Sequence, residues 1–269
     1  MLHCRVAAVG IQAARDTSAG IDSMKLILLG TAGYHPSDAR QTACLMLPEV
    51  GVVLDAGTSF YRVRDYLCTD ELDVFVTHSH LDHVVGITYL FDVLREKSVR
   101  RVTVHGAADK LAAIEQHLLS ESLFPVRLPC EFRPLVDREP LAHGGQLTHF
   151  PVKHPGGAVG FRLDWPGHSL AYVTDTTASA SAAYVEAVRG VDLLVHECNF
   201  TDEHAELATK WGHSSTSGVA ELALAAGVNR LILVHLDPMA SGDDPVRLAT
   251  AQKIFPATAV GLDRMAVAF

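Results

Sequence analysis

The chain has 269 residues, 48% hydrophobic and 20% charged, with a formal charge of −9 when histidines are neutral. That is enough apolar material for one large α/β domain or two small ones, but no run of about twenty apolar residues exists to span a membrane. The acidic balance and the lack of a long basic run argue against a protein that grips an extended nucleic-acid backbone along a basic stripe. Five scattered cysteines (Cys4, Cys44, Cys68, Cys130 and Cys198), with no Cys-x-x-Cys pair, fit reduced thiols in a cytoplasmic protein better than a disulfide framework.

In chain order, residues 1–23 carry Arg5, Arg15 and a weak apolar stretch but no cleavage signal, so they are expected to be an N-terminal extension. A single domain is expected over residues 24–269. Lys25–Leu29 predicts a first strand, ended by the turn residues Gly30 to Gly33. A polar loop from Tyr34 to Gln41 follows and includes His35, the one loop histidine expected to rim a cleft. Thr42–Leu47 and Val50–Leu54 predict two antiparallel strands around Pro48-Glu49. Asp55 then leads into a helix through Phe60, Val63 and Leu67. A carboxylate there can accept the second ring proton of a ligand histidine, or simply form a turn.

Val74-Phe75-Val76 ends a buried strand, and Thr77-His78-Ser79-His80-Leu81-Asp82-His83 follows it. The next eleven residues predict a helix with Val84, Ile87, Phe91 and Leu94 on one face. Three imidazoles and a carboxylate thus share a strand-to-helix loop. Nitrogen and oxygen donors of this kind suit a zinc-like ion that keeps room for water. His78 and His80 alternate with Ser79 and point the same way, while Asp82 and His83 swing onto the helix entry and can serve a second ion.

Beyond the loop, Arg101–Val104 predicts a strand and Ala107–Leu119 a helix. Strands dominate from Glu131 to Val173, and helices return at Ala178–Val188 and Ser217–Ala226. Two β-rich halves, each bearing helices, suggest sheets packed together with helices outside. Three further hydrophobic strands run out into His154, Asp175 and His235. The segments His196-Glu197 and His213-Ser214-Ser215 complete the list of motifs, joined by a polar stretch, Cys198 to Gly212, expected to loop back. His3, His105, His117, His143, His149, His168 and His204 lack comparable settings and are expected to be ordinary surface or loop histidines.

His78-x-His80-x-Asp82-His83 resembles the signature of the metallo-β-lactamase superfamily, and the order of the later motifs resembles its ribonuclease Z-like branch, which cleaves phosphodiesters. The resemblance implies an αββα four-layer sandwich in the α/β class, with the site at an edge where strand ends meet. It implies His78, His80 and His154 on one divalent ion, Asp82, His83 and His235 on a second, and Asp175 with a hydroxide between them. An anionic bridge is physically sensible, since two dications close together repel strongly. The imidazole of His80 supports zinc, and manganese or iron is compatible with the same donors. By the same resemblance Glu197 orients His213, which stabilises charge or protonates the leaving oxygen. Asp82, Glu197 and His213 are counted as catalytic, and His213, Ser214 and His35 as substrate contacts. Ser214 or Ser215 is alternatively a cap for the following helix.

Ribonuclease Z proteins carry a long tRNA-clamping arm between the segments matching His154 and Asp175. Here that interval is short and filled by two strands around Pro166-Gly167. The expected activity is therefore hydrolysis of a small or cyclic phosphodiester, with tRNA 3′-end cleavage as the alternative and RNA not the favoured partner. A lactone or ester hydrolase comes third. A non-catalytic zinc module is disfavoured because structural zinc sites are typically closed and rich in cysteine. A homodimer is common in such a family, though no self-complementary patch is legible.

Overall fold

The computed structural model describes residues 24–240, 242 and 244–269; the expected extension, residues 1–23, lies outside them. The strands of the first half are β1 (Lys25–Gly30), β2 (Cys44–Leu47), β3 (Val52–Leu54), β4 (Glu71–Phe75), β5 (Arg101–Gly106) and β6 (Glu131–Pro134). Those of the second half are β7 (Glu139–Leu141), β8 (Gly145–Val152), β9 (Ala158–Trp165), β10 (His168–Val173), β11 (Leu193–Glu197), β12 (Leu231–Val234) and β13 (Thr258–Val260), and β14 (Met265–Ala268) returns to the first half. They form two seven-stranded sheets, in the orders β14-β1-β2-β3-β4-β5-β6 and β13-β12-β11-β10-β9-β8-β7. In each sheet an antiparallel block joins a parallel block: β3 to β6 run parallel, and so do β10 to β13.

The sheets face each other across a core that includes Leu26, Leu45, Phe75, Phe161 and Tyr172. The outer face of the first sheet packs against Phe60, Val63, Ile87 and Leu111, and that of the second against Val219, Leu222 and Ala223. This is the expected four-layer αββα sandwich. Because strands at the sandwich centre are covered on both faces, they read as continuous hydrophobic runs such as Leu231-Ile232-Leu233-Val234, all buried.

The local expectations need four corrections. Residues 84–94 do not form one regular α-helix: a 3₁₀ segment, Val85–Tyr89, separates two short α-helical pieces. Three residues per turn bring Val84, Ile87, Leu90 and Val93 to the buried side, and Phe91 is left exposed. Residues 178–188 are a run of turns, in which the amides of Ala182, Val185 and Ala187 reach back only three residues. The Arg162 guanidinium binds the carbonyls of Ala187 and Arg189, at 3.2 and 2.8 Å, where the run ends. The stretch after Cys198 contains a short helix, Ala205–Trp211. His105 is a buried residue of β5, stacked on Phe75 at 4.4 Å and bonded to Asp73 at 2.9 Å.

Candidate metal centre and active site

The site lies at one edge of the sandwich, beyond the ends of β3, β4, β8, β10, β11 and β12. Three of its residues leave their strands in the left-handed region: Asp55 (φ 59°), Asp175 (φ 50°) and His235 (φ 54°). Such a turn costs energy for a residue with a side chain and persists only where surrounding structure imposes it. Here it swings three polar side chains off hydrophobic strands into a common space. Gly33 packs against the His235 ring so closely that a Cβ there would lie 2.5 Å from it.

The structure brings all seven expected ligands together. Nitrogen atoms of His78, His80 and His154 lie within 4.8 Å of one another, and so do ligand atoms of Asp82, His83 and His235. Asp175 reaches both groups: one oxygen is 3.0 Å from His83 Nε2 and 3.4 Å from His235 Nε2, and the other is 3.7 Å from His154 Nε2. Four donors around a zinc ion at tetrahedral angles sit about 3.3 Å apart. His154 Nε2 to His80 Nδ1 and His83 Nε2 to His235 Nε2 are both 3.3 Å.

The electrostatics of these donors call for positive charge. His78 Nε2 is buried with no hydrogen-bond partner. Burial pushes the His78 imidazole well below its ordinary pKa, with charge on His83 adding to the effect. For His83 burial opposes protonation, but Asp82, Asp175 and Asp55 outweigh it and raise the ring well above the usual histidine range. Asp82 and Asp175 are likewise held below the usual carboxylate range by the neighbouring histidines, despite their burial. A cluster that demands positive charge at its centre and offers only imidazole and carboxylate donors fits divalent ions.

Asp55 is fully buried beneath this cluster. Its carboxylate accepts from His83 Nδ1 at 2.8 Å, the Thr77 amide at 2.8 Å and the Tyr172 hydroxyl at 2.9 Å. With Nδ1 so engaged, His83 turns Nε2 toward Asp82 and Asp175. Nothing in the sequence marks Tyr172 for this role, since an aromatic inside a hydrophobic strand signals packing and nothing else.

Glu197, also fully buried, accepts from the Thr176 amide (2.8 Å), from His213 Nδ1 (3.1 Å) and from the Ser214 amide (3.3 Å). His213 therefore keeps Nε2 free on the cleft side. Burial works against its protonation, but the charge and hydrogen bond of Glu197, then Asp175 and Asp82, push its pKa up to about 9. Ser214 does not reach the cleft. It is buried, and its hydroxyl donates to the Thr176 carbonyl at 2.6 Å and accepts the Ala178 amide at 2.9 Å, which braces the turn carrying Asp175. Neither serine side chain caps the following helix; the Ser217 amide is instead accepted by Asp202 at 2.8 Å. His196 is buried, donating from Nδ1 to the Glu197 carbonyl (2.7 Å) and accepting from Tyr184 (2.8 Å).

Above the cluster opens a cleft of about 660 Å³, lined by residues including His80, His154, Asp175, Phe200, His213 and His235, with Tyr34, His35, Trp211 and Met239 toward solvent. His35 thus borders the cleft as expected. Asn199, also lining it, donates to the His235 carbonyl at 3.0 Å, a role that no motif in the sequence signals.

Sandwich, edge site and cation-demanding donors together define a metal-dependent hydrolase. The chain belongs to the β-lactamase superfamily: the family model for the β-lactamase superfamily domain matches residues 51–236. Among curated relatives, ribonuclease Z of Synechococcus sp. (strain WH7803) is 30% identical over 312 aligned positions, covering 91% of this chain and 96% of the relative. Among solved structures, the metallo-β-lactamase fold protein YhfI from Bacillus subtilis aligns with a TM-score of 0.76 at 21% identity, over 92% of this chain and all of that one. The short form of human tRNase Z aligns at 0.70 and 19% identity, over 91% of this chain and 98% of its own. Proteins of this family use divalent metals, typically zinc.

Proposed function

We propose that this hydrolase cleaves phosphodiesters at a pair of zinc ions, His78, His80 and His154 holding one, Asp82, His83 and His235 the other, and Asp175 both. Bound there, the ions supply Lewis acidity toward phosphoryl oxygens and a water of lowered pKa. The observation that carries phosphate over other esters is the Glu197–His213 pair beside the cluster. Glu197 fixes the His213 ring and favours its protonated form. The ring then holds a proton at Nε2, suited to a non-bridging oxygen or to the departing alkoxide.

Similarity to curated relatives named ribonuclease Z favours RNA as the substrate. A small or cyclic phosphodiester is the second reading, and one feature favours it. The interval between His154 and Asp175 holds only the β9–β10 hairpin, closed at Pro166-Gly167. The 312-position alignment exceeds the 269-residue chain, so the relative carries segments this chain lacks. With no protruding arm in that interval and a net negative charge, this chain has less with which to hold an extended RNA.

The test is zinc-loaded protein offered bis(p-nitrophenyl) phosphate, a 2′,3′-cyclic nucleotide, a precursor tRNA and a lactone. Turnover of phosphodiesters, lowered about 10²- to 10⁴-fold by His213→Ala, is the expected result. Hydrolysis of the lactone alone would overturn the phosphodiesterase assignment.

A further inference from the structure

We infer that Tyr34 and Trp211 form a stacking platform for a nucleobase attached to the scissile phosphate; this deepens the phosphodiesterase reading and rests on it. The floor of the cleft is imidazole and carboxylate, the groups that would meet the phosphate. The rim is different. Tyr34 is 82% exposed and Trp211 54% exposed, and Met239, at 76%, adds a third apolar surface. Among the described residues lining the cleft, none is lysine or arginine. A second phosphate further along a chain therefore meets no cation there, whereas a flat apolar group meets two aromatic faces.

Both residues are anchored through their backbone to the site rather than carried on free loops. The Tyr34 amide donates to Asp82 Oδ2 at 2.9 Å, and the residue holds a left-handed conformation (φ 58°), so the backbone that carries its ring is fixed relative to an expected metal ligand. Trp211 ends the helix Ala205–Trp211 and packs edge-on against Phe200 at 5.8 Å. Gly212 (φ 77°) then turns the chain, and the amide of His213 closes back on the Ala208 carbonyl at 2.9 Å. The turn that presents Trp211 to solvent is thus the one that delivers His213 to the floor. Of the groups commonly esterified to phosphate, a nucleoside is the one that brings a flat base with a π-face to stack, and aromatic stacking accepts any base.

Two p-nitrophenyl esters with the same leaving group separate the base from the chemistry: thymidine 5′-(p-nitrophenyl phosphate) and methyl p-nitrophenyl phosphate. Zinc-loaded protein should prefer the thymidine ester by about ten- to a hundredfold in kcat/KM. Trp211→Ala and Tyr34→Ala should each remove most of that preference, while Trp211→Phe, which keeps a ring, retains it. Direct binding gives a second readout, because the chain has two tryptophans and Trp165 is buried. AMP should quench the emission of Trp211, and ribose 5-phosphate should not. Equal rates on the two esters, or equal quenching by both ligands, would overturn the platform and leave the phosphodiesterase assignment standing. If neither ester is hydrolysed, that assignment falls, and the AMP titration alone decides for or against stacking.

Discussion

Asp55 shows how a residue buried beneath a cluster of donors can set their order. It sits under His83 with four donors aimed at it, namely His83 Nδ1, the Thr77 amide and hydroxyl, and the Tyr172 hydroxyl. A carboxylate so surrounded is fixed in place, and it passes that order to the imidazole above. Replacing Asp55 with alanine frees the ring and leaves buried donors unpaired. Zinc affinity should drop about 10- to 100-fold, as measured by competition with a chromogenic chelator. Tyr172→Phe removes only one of the donors, so it should cost about 1 kcal/mol of stability and shift zinc affinity far less. Wild-type zinc affinity in Asp55→Ala would show that His83 is oriented by something else. Of this trio, His83 is plain in the sequence because ligand-type residues crowd the segment 78–83. Asp55 is half-legible from its place at a strand end, and Tyr172 is invisible.

The elements of the fold obey their sequence patterns where burial alone shapes them and depart where a side chain intervenes. Hydrophobic runs ending in His154, Asp175 and His235 are readable because a polar residue closing a buried strand has few places to go but the strand edge. The Ala178–Val188 segment looks helical by composition, yet Arg162 on β9 binds the carbonyl of Ala187 within it and that of Arg189 just beyond it, contacts between residues 25 and 27 positions apart. No local pattern encodes that. The same holds for the C-terminal return: Asp263, just before β14, accepts from the Thr31 amide and hydroxyl and the Gln41 amide, and pairs with Arg62 at 2.6 Å. Arg62 and Asp263 are only 12% and 10% exposed, which makes the pair partly desolvated rather than a surface contact. Asp263→Ala would strand the guanidinium and two loop amides. The expected cost is about 3–5 kcal/mol, read as a lower urea midpoint with unchanged m-value. A loss below about 1 kcal/mol would mean that water replaces the carboxylate and that the return strand is held by β14 pairing alone.

At the scale of the whole molecule, the two halves contribute unequally to one centre. His78, His80, Asp82 and His83 come from the loop after β4 in the first sheet, whereas His154, Asp175 and His235 follow β8, β10 and β12 in the second. The sandwich edge is therefore where like-charged carboxylates and crowded imidazoles from both sheets are forced together, and without cations that edge works against the packing behind it. The pairing of β1 with β14, like the mirrored strand order of the two sheets, was not readable in the sequence, because strands hundreds of residues apart carry no mark of their partners. The chemistry of the edge was readable, and it makes metal binding a stability term. A ligand that binds only the folded chain at a hundred times its dissociation constant stabilises it by about 2.7 kcal/mol, and a chain of this size gains roughly 2–4 °C per kcal/mol. Zinc at that excess should raise the melting temperature by about 5–11 °C, and chelation should reverse the shift. The gain should disappear in Asp175→Ala, whose carboxylate reaches both donor groups, and shrink in His80→Ala, which spares the second group. A melting temperature indifferent to zinc and chelator would mean that the seven side chains do not hold the ions jointly, and the two-ion site would have to be given up even if the fold stands.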